Sequence, residues 1–193
     1  MKKLLISGNK KLSTGILIFN LPPGKSCLNC SDCFKTCYAR KAYRQYPSVK
    51  TVWDQNLETS KNNPVLFEKL ITNQLERTGK DVIRIHSSGD FYNQEYIDLW
   101  AKIIRSFPKK RFYAYTKVKN ILDFTGIEQL SNFNLIDSFI NGHINFGSRD
   151  EVDTWIREDK TLFICPATKG KNVTCGKECN YCLTNNRVIF IKH

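Results

Sequence analysis

Residues 81–116 read DVIRIHSSGDFYNQEYIDLWAKIIRSFPKKRFYAYT, and this stretch decides the fold class. Asp81 to His86 is a short run rich in β-branched residues, ended by the breakers Ser87-Ser88-Gly89-Asp90, which predicts a strand entering a loop. From about Asn93 to Phe107, the side chains of Tyr96, Leu99, Trp100, Ile103, Ile104 and Phe107 fall on one helical stripe that Pro108 closes. Arg111 to Thr116 then alternates large and small residues as a strand does. Strand, helix and strand in this order make a βαβ unit, so the two strands are expected to lie parallel.

The alternation extends in both directions. Thr14 to Asn20 (TGILIFN) is an apolar run stopped by Leu21-Pro22-Pro23-Gly24, a buried strand running into a loop, and the segment before it reads only as a polar start. Tyr38 to about Tyr46 is helical until Pro47, and a second helix is expected from Val49 to Ser60. Asn63-Pro64 caps a third, on which Phe67, Leu70, Ile71 and Leu75 recur until Gly79. Downstream, Asn120 to Leu130 reads as helical and Asn134 to Ile140 as a strand. Ser148 with Glu151 makes a capping box for a helix carrying Val152, Trp155 and Ile156. Thr161 to Cys165 and Arg187 to Ile191 read as further strands. Trp53, Trp100 and Trp155 lie on helical stripes and belong in the core. The expected class is α/β over one domain of 193 residues, either a partial (β/α) barrel or an open, mostly parallel sheet. In either form the loops after the strands gather on one face.

Two of those loops carry all eight cysteines. Cys27, Cys30, Cys33 and Cys37 give C-x2-C-x2-C-x3-C, the spacing with which bacterial ferredoxins wrap an iron–sulfur cube, with Tyr38 where those proteins carry proline. Cys165, Cys175, Cys179 and Cys182 give C-x9-C-x3-C-x2-C. Thiolates every third or fourth residue bring sulfurs together at a crowding that a metal offsets, whereas cysteines that merely pack have no reason to recur so closely. Iron–sulfur and zinc both suit an all-cysteine set, and the two loops are expected either to hold a centre each or to exchange ligands.

An even cysteine count also suits the disulfides of a secreted protein, but Met1 to Lys11 offers only Leu4, Leu5 and Ile6 between charges, which is no signal-peptide core. No apolar run approaches the roughly 18 residues that cross a bilayer. The expectation is a cytoplasmic protein with reduced thiols and no membrane partner. Thirty Lys and Arg against eighteen Asp and Glu give a net charge of +12, scattered in clusters at Lys10 and Lys11, Arg40 to Arg44, Lys109 to Arg111, and Lys169 to Lys171. Such a potential favours a polyanionic partner, nucleic acid first.

The cysteine loop directly after the first strand and before the first helix, with aromatic Tyr38 abutting Cys37, resembles the radical S-adenosylmethionine enzymes. So does Ser88-Gly89-Asp90, which is similar to the Gly-Gly-Glu element that receives the methionine amino group in that superfamily. The first loop gives C-x2-C-x3-C from Cys30 to Cys37 in place of the superfamily's C-x3-C-x2-C. From Leu12 to His193 the chain also resembles the gene-product-eighty-eight type of phage and plasmid proteins, through Cys33-x3-Cys37-Tyr38-Ala39, Arg84-x-His86-x-Ser88-Gly89-Asp90-Phe91, Tyr115-Thr116-Lys117, Cys165-Pro166 and the closing Cys175, Cys179 and Cys182. That resemblance implies a mobile-element origin and bound metal.

Two functions are expected on these grounds. In the first, Cys30, Cys33 and Cys37 hold a reactive 4Fe-4S cluster, Ser88, Gly89 and Asp90 cradle S-adenosylmethionine, and the C-terminal cysteines hold an auxiliary cluster. Asp90 and His86 are then the candidate catalytic residues, His86 because alternation along the strand puts it on one side with Arg84 and Ser88. In the second, clusters or zinc ions staple a non-enzymatic module whose basic surface binds nucleic acid or a host protein. His143, in Asn141-Gly142-His143, reads as turn chemistry, and His193 is terminal.

Overall fold

The computed structural model describes residues 3–9, 11–140 and 143–191. Lys10, Asn141, Gly142 and His193 lie outside the described residues, as does the side chain of His143.

The chain begins with β1 (Leu5–Ser7) and β2 (Ile16–Phe19), followed by the helices α1 (Ser31–Thr36), α2 (Tyr38–Gln45), α3 (Pro47–Asn62) and α4 (Pro64–Glu76). It continues through β3 (Val82–Ile85), α5 (Gln94–Arg105), β4 (Arg111–Thr116), the single turn α6 (Thr125–Glu128) and β5 (Phe133–Asp137). After β6 (Phe139–Ile140), β7 (His143–Ile144) and β8 (Phe146–Gly147) come α7 (Arg149–Glu158), β9 (Phe163–Ile164) and β10 (Val188–Ile191).

The result is a mixed α/β fold around a mostly parallel sheet of five strands in the order β1-β2-β3-β4-β5. Strand β1 pairs antiparallel with β2, and β2 to β5 are mutually parallel. Because the parallel strands follow one another in space as they do in sequence, every crossover steps the same way, and right-handed crossovers then put their helices on one face. That face holds the main core. Leu17, Phe19, Ile83, Ile85, Phe112, Ala114 and Leu135 point into it against Phe67, Leu70 and Ile71 of α4 and Tyr96, Trp100 and Ile104 of α5. Phe19, Phe67 and Trp100 meet edge to face at 5.4–5.6 Å, an arrangement aromatic quadrupoles favour.

The opposite face, carrying Ile16, Ile18, Val82, Arg84, Tyr113, Tyr115 and Ile136, is left to the C-terminal part of the chain. There β8, β10 and β9 form a parallel three-stranded sheet with β10 in the middle. Val188 and Phe190 of β10 turn toward Tyr113, Tyr115 and Ile136, while Ile189 and Ile191 pack against Val152 and Trp155 of α7. Backbone bonds step from one sheet to the other: Ser138 N donates to Thr116 O, Asn145 N to Ser138 O and Phe190 N to Asn145 O, each at 2.8 Å.

Several boundaries differ from the sequence expectation. The polar start contains a strand: Leu4 and Leu5 are buried, and the Gln74 amide oxygen of α4 accepts from both their N–H groups at 2.6 and 3.1 Å. Pro47 opens α3 instead of only closing α2, in keeping with proline's tolerance at a first helical position. Helix 120–130 shrinks to α6, since the Asp123 carboxylate accepts from Thr125 N at 2.8 Å and diverts the chain into a turn. The strand 134–140 breaks at Ser138, where Asp137 Oδ1 takes the Phe139 N–H at 2.9 Å.

Candidate metal centres

The two cysteine groups do not converge as the loop-face reading predicts. The first stands at the C-terminal ends of β2, β3 and β4, and the second lies on the sheet face opposite the helices.

The loop from β2 to Cys27 is tied to the turn after β3. Asn20 Oδ1 accepts from Ser87 N and Ser88 N at 2.9 and 3.0 Å, Leu21 N donates to Ser88 O at 2.9 Å, and Ser88 Oγ donates to Leu21 O at 2.9 Å. Gly89 has φ +84, and a Cβ there would sit 2.6 Å from both Leu21 Cβ and Ser26 Oγ, so only glycine lets the two loops touch. Asp90 joins the third loop: Oδ1 accepts from Phe91 N and Thr116 Oγ1 at 2.8 and 2.9 Å, and Oδ2 from Lys117 N at 2.9 Å. Burial raises its carboxyl to about 6 against the pull of these donors. Asn29 Nδ2 reaches Lys117 O at 3.2 Å, and the Tyr38 hydroxyl donates to Ser87 O. Ser88, Gly89 and Asp90 are thus brought beside the first cysteine loop, with their polar atoms engaged in holding three loops together.

Within that loop the thiols differ. Cys27 is pushed up to about 11 by burial, opposed by a backbone bond at Gly24 and helped by the Asp90 charge. Cys33 donates to Cys37, which raises the first thiol and lowers the second. The Arg40 and Ala39 N–H groups at the start of α2 and the Lys117 ammonium add to the lowering at Cys37. A thiol held toward its anion at a helix start is ready to bind metal, since the ligand is the thiolate.

His86 is not beside this loop. Strand β3 ends at Ile85, and His86 adopts φ +63, which breaks the alternation expected from Arg84 to Ser88. The ring turns into the helix-side core, where Nε2 meets the Tyr96 hydroxyl at 3.0 Å and Phe91 packs edge-on at 4.7 Å. Burial, then the Arg84 charge, lowers its pKa to about 3, so the imidazole is neutral.

The second group is assembled from four backbone segments. Cys165 follows β9 and its N–H pairs with Ile189 O at 2.9 Å. Cys175 pairs with the segment before β2: its N–H donates to Lys11 O at 3.0 Å, and Ser13 N donates to its carbonyl at 2.9 Å. Cys179 O accepts from Gly176 N at 2.9 Å. Cys182 lies in the 3-10 turn Tyr181–Leu183, which is fastened by the Asn134 amide donating to Cys182 O and Asn185 O at 3.0 Å each and by Tyr181 stacking on Phe163 at 3.9 Å. All four cysteines line one cavity of about 30 Å³ together with Arg84, Tyr113 and Tyr115. The Tyr115 hydroxyl donates to Cys182 Sγ at 2.8 Å, and burial pushes that thiol up to about 11.

Arg84 is the residue the sequence reading did not place in a site. Its guanidinium sits 4.9 Å from the Tyr115 ring centroid and 5.9 Å from that of Tyr113. Its Nε is buried without a hydrogen-bond partner. Burial opposes its charge, while Tyr113, Tyr38, Tyr115 and Cys182 favour it, and among the described residues it makes no ion pair with a carboxylate. The signal was present in Val82-Ile83-Arg84-Ile85: an arginine inside an apolar strand points to the face that Ile83 and Ile85 do not use.

No two of the eight cysteines are joined as a disulfide in the structure. Among the described residues, no three His, Cys, Asp or Glu side chains stand close enough to hold a single metal ion, and no helix is long and apolar enough to cross a membrane.

Comparison with known proteins gives relatives without a stated activity. The chain is 28% identical over 167 residues to the Gene 88 protein of Mycobacterium phage D29, covering 74% of this chain and 68% of that protein. It is 28% identical over 128 residues to the Gene 88 protein of Mycobacterium phage L5, covering 60% of this chain and about half, 53%, of the relative. No solved structure matches the chain. The family model described as Gene product 88 matches residues 2–189, and the chain belongs to that family of phage proteins.

Proposed function

We propose that this protein is an iron–sulfur protein with two all-cysteine centres, a closed one on the inner sheet face and an open one at the strand ends, arranged as a partial barrel of the radical S-adenosylmethionine kind. The observation that carries the reading is the cavity that Cys165, Cys175, Cys179 and Cys182 line together with Arg84. A largely buried guanidinium without a carboxylate is unfavourable unless anionic groups face it, and four metal-bound thiolates supply that charge. The Tyr115 hydroxyl on Cys182 Sγ suits the same role, since hydrogen bonds to ligand sulfurs tune such centres.

A single zinc ion requires sulfurs about 2.3 Å from one point. Iron–sulfur clusters spread their thiolates over several irons, and the C-x2-C-x2-C-x3-C spacing of Cys27, Cys30, Cys33 and Cys37 is the feature that favours them over zinc. Cys30, Cys33 and Cys37 would hold a cluster in the first loop, and such a group would supply electron transfer there. In this reading Ser88, Gly89 and Asp90 shape the cofactor's edge of the site by fixing the loops.

The second reading, a metal-stapled module without catalysis, is favoured by one fact: Asp90 already accepts three hydrogen bonds and Ser88 is bonded through both N–H and hydroxyl. Anaerobic purification with iron, sulfide and zinc analysis tests the shared claim. Iron and acid-labile sulfide with broad visible absorption are expected, about half of them lost in Cys165→Ser/Cys182→Ser; colourless protein with stoichiometric zinc overturns the iron–sulfur reading and leaves the stapled module, and protein without metal overturns both. Reductive cleavage of S-adenosylmethionine to 5'-deoxyadenosine by the loaded protein separates the enzyme from the module.

A further inference from the structure

A groove of about 450 Å³ runs beside α1 and α2, lined by Lys35, Cys37, Arg40, Lys41, Arg44 and Gln45. No acidic residue occurs between Cys33 and Gln45. Helix α2 sets Arg40 and Arg44 one turn apart with Lys41 between them, an i,i+4 pair of like charges that weakens a helix unless an anion compensates. Arg40 is fixed in place: its guanidinium stacks on the Phe34 ring at 3.9 Å, and Nη1 donates to Phe34 O at 2.7 Å. The nearest acid on α3, Asp54, is already taken by Lys25, Lys50 and the Tyr43 hydroxyl at 2.6–3.0 Å.

Two aromatic residues that the core does not use stand at the ends of α2, the first of them tethered by its hydroxyl to Ser87 O. Tyr38 is 70% exposed at the start of α2 and Tyr46 is 51% exposed just past its end, about 12 Å apart along the axis at 1.5 Å per residue. Guanidinium forks match phosphate oxygens, and exposed tyrosines at both ends of a basic track give unpaired bases a surface on which to stack. A duplex keeps its bases away from such rings, and Asp and Glu side chains offer them no aromatic face.

We propose that this groove binds the phosphodiester backbone of a single-stranded nucleic acid, with Arg40, Lys41 and Arg44 on phosphates and Tyr38 and Tyr46 stacking on bases. Cys37 forms part of the wall, so a strand bound there passes directly beside the first cysteine loop. The groove stands on its own side chains and not on the presence of a metal.

The test is fluorescence anisotropy with a labelled single-stranded oligonucleotide at several salt concentrations, on the full chain. Arg40→Ala/Arg44→Ala is compared with Arg105→Ala/Lys109→Ala, which removes the same charge at the far end of α5. The groove variant is expected to bind at least about ten-fold more weakly, with the log–log salt slope reduced by about 1.4 for two lost phosphate contacts, while the α5 variant binds as the parent does. Tyr38→Leu/Tyr46→Leu is expected to weaken single-strand binding and leave the salt slope unchanged. Binding without salt dependence, equal loss in both charge variants, or equal competition by duplex or poly-glutamate overturns the proposal. Iron content of the same samples reports separately on the metal reading, which can fail while strand binding holds.

Discussion

Arg84 is the residue whose behaviour separates a metal–thiolate protein from a plain α/β fold, because the two assign it opposite signs. A largely buried arginine facing only phenols and neutral thiols destabilises the fold, and replacing it with an apolar residue of similar length relieves that penalty. The same arginine facing metal-bound thiolates is half of a charge pair, and removing it leaves the other half uncompensated. Arg84→Leu is therefore expected to lower the melting temperature and the metal retention of the loaded protein. After complete chelation the same variant is expected to be more stable than the parent, by about 1–3 kcal/mol. Denaturant titration of both proteins in both states checks this, and a destabilisation of equal size with and without metal contradicts the assignment.

Elements were legible where one period ran long enough. The stripes of α4 and α5, the strands β2, β3 and β4, and the Ser148–Glu151 capping box stand where pattern and caps put them. Strand β1 was not, since three apolar residues make no period and the Gln74 amide that takes the Leu4 and Leu5 N–H groups is remote in sequence. The side chain of His86 was misplaced because a left-handed residue at a strand end is invisible to alternation. The cysteine spacing announced both groups, yet not that one stands at the strand ends and the other on the sheet face opposite the helices, for Cys175 is placed by pairing with Lys11 and Ser13.

That pairing rests on Gly176, whose φ is +85 and whose place for a Cβ lies 2.5 Å from Ile16 Cδ1. Gly170 has φ +75 with nothing within 4 Å, so it carries the conformational requirement without the close approach. Gly176→Ala is expected to cost about 2 kcal/mol and deplete metal from the second group, with Gly170→Ala costing about half as much and sparing the metal. Thermal melts with metal analysis on both variants check the contrast, and equal effects would show that the contact with Ile16 does not matter.

At the scale of the molecule, the one-way order of β2 to β5 divides the protein into a helix-covered face with a large aromatic core and a face closed by the C-terminal segment. The first needs nothing beyond its own apolar side chains. The second is thinner: Val188, Phe190, Tyr181 and Leu183 cover Tyr113, Tyr115 and Ile136, and the segment from Cys165 to Cys182 is 3-10 turns and loop. Loops of this kind open at low free energy unless something links them, and a shared metal centre is such a link. Removing it should loosen one face and not the other. Hydrogen exchange before and after anaerobic chelation is therefore expected to show lost protection at Ser13, Cys175, Gly176 and Leu183, whose N–H groups are bonded within or onto this segment. Amides of α4, α5 and β3 are expected to keep theirs, because the packing of Phe19, Phe67 and Trp100 is independent of the cysteines. Loss of protection across both faces would mean that the helix-side core also depends on the metal, and unchanged exchange at the C-terminal segment would mean that no metal holds it.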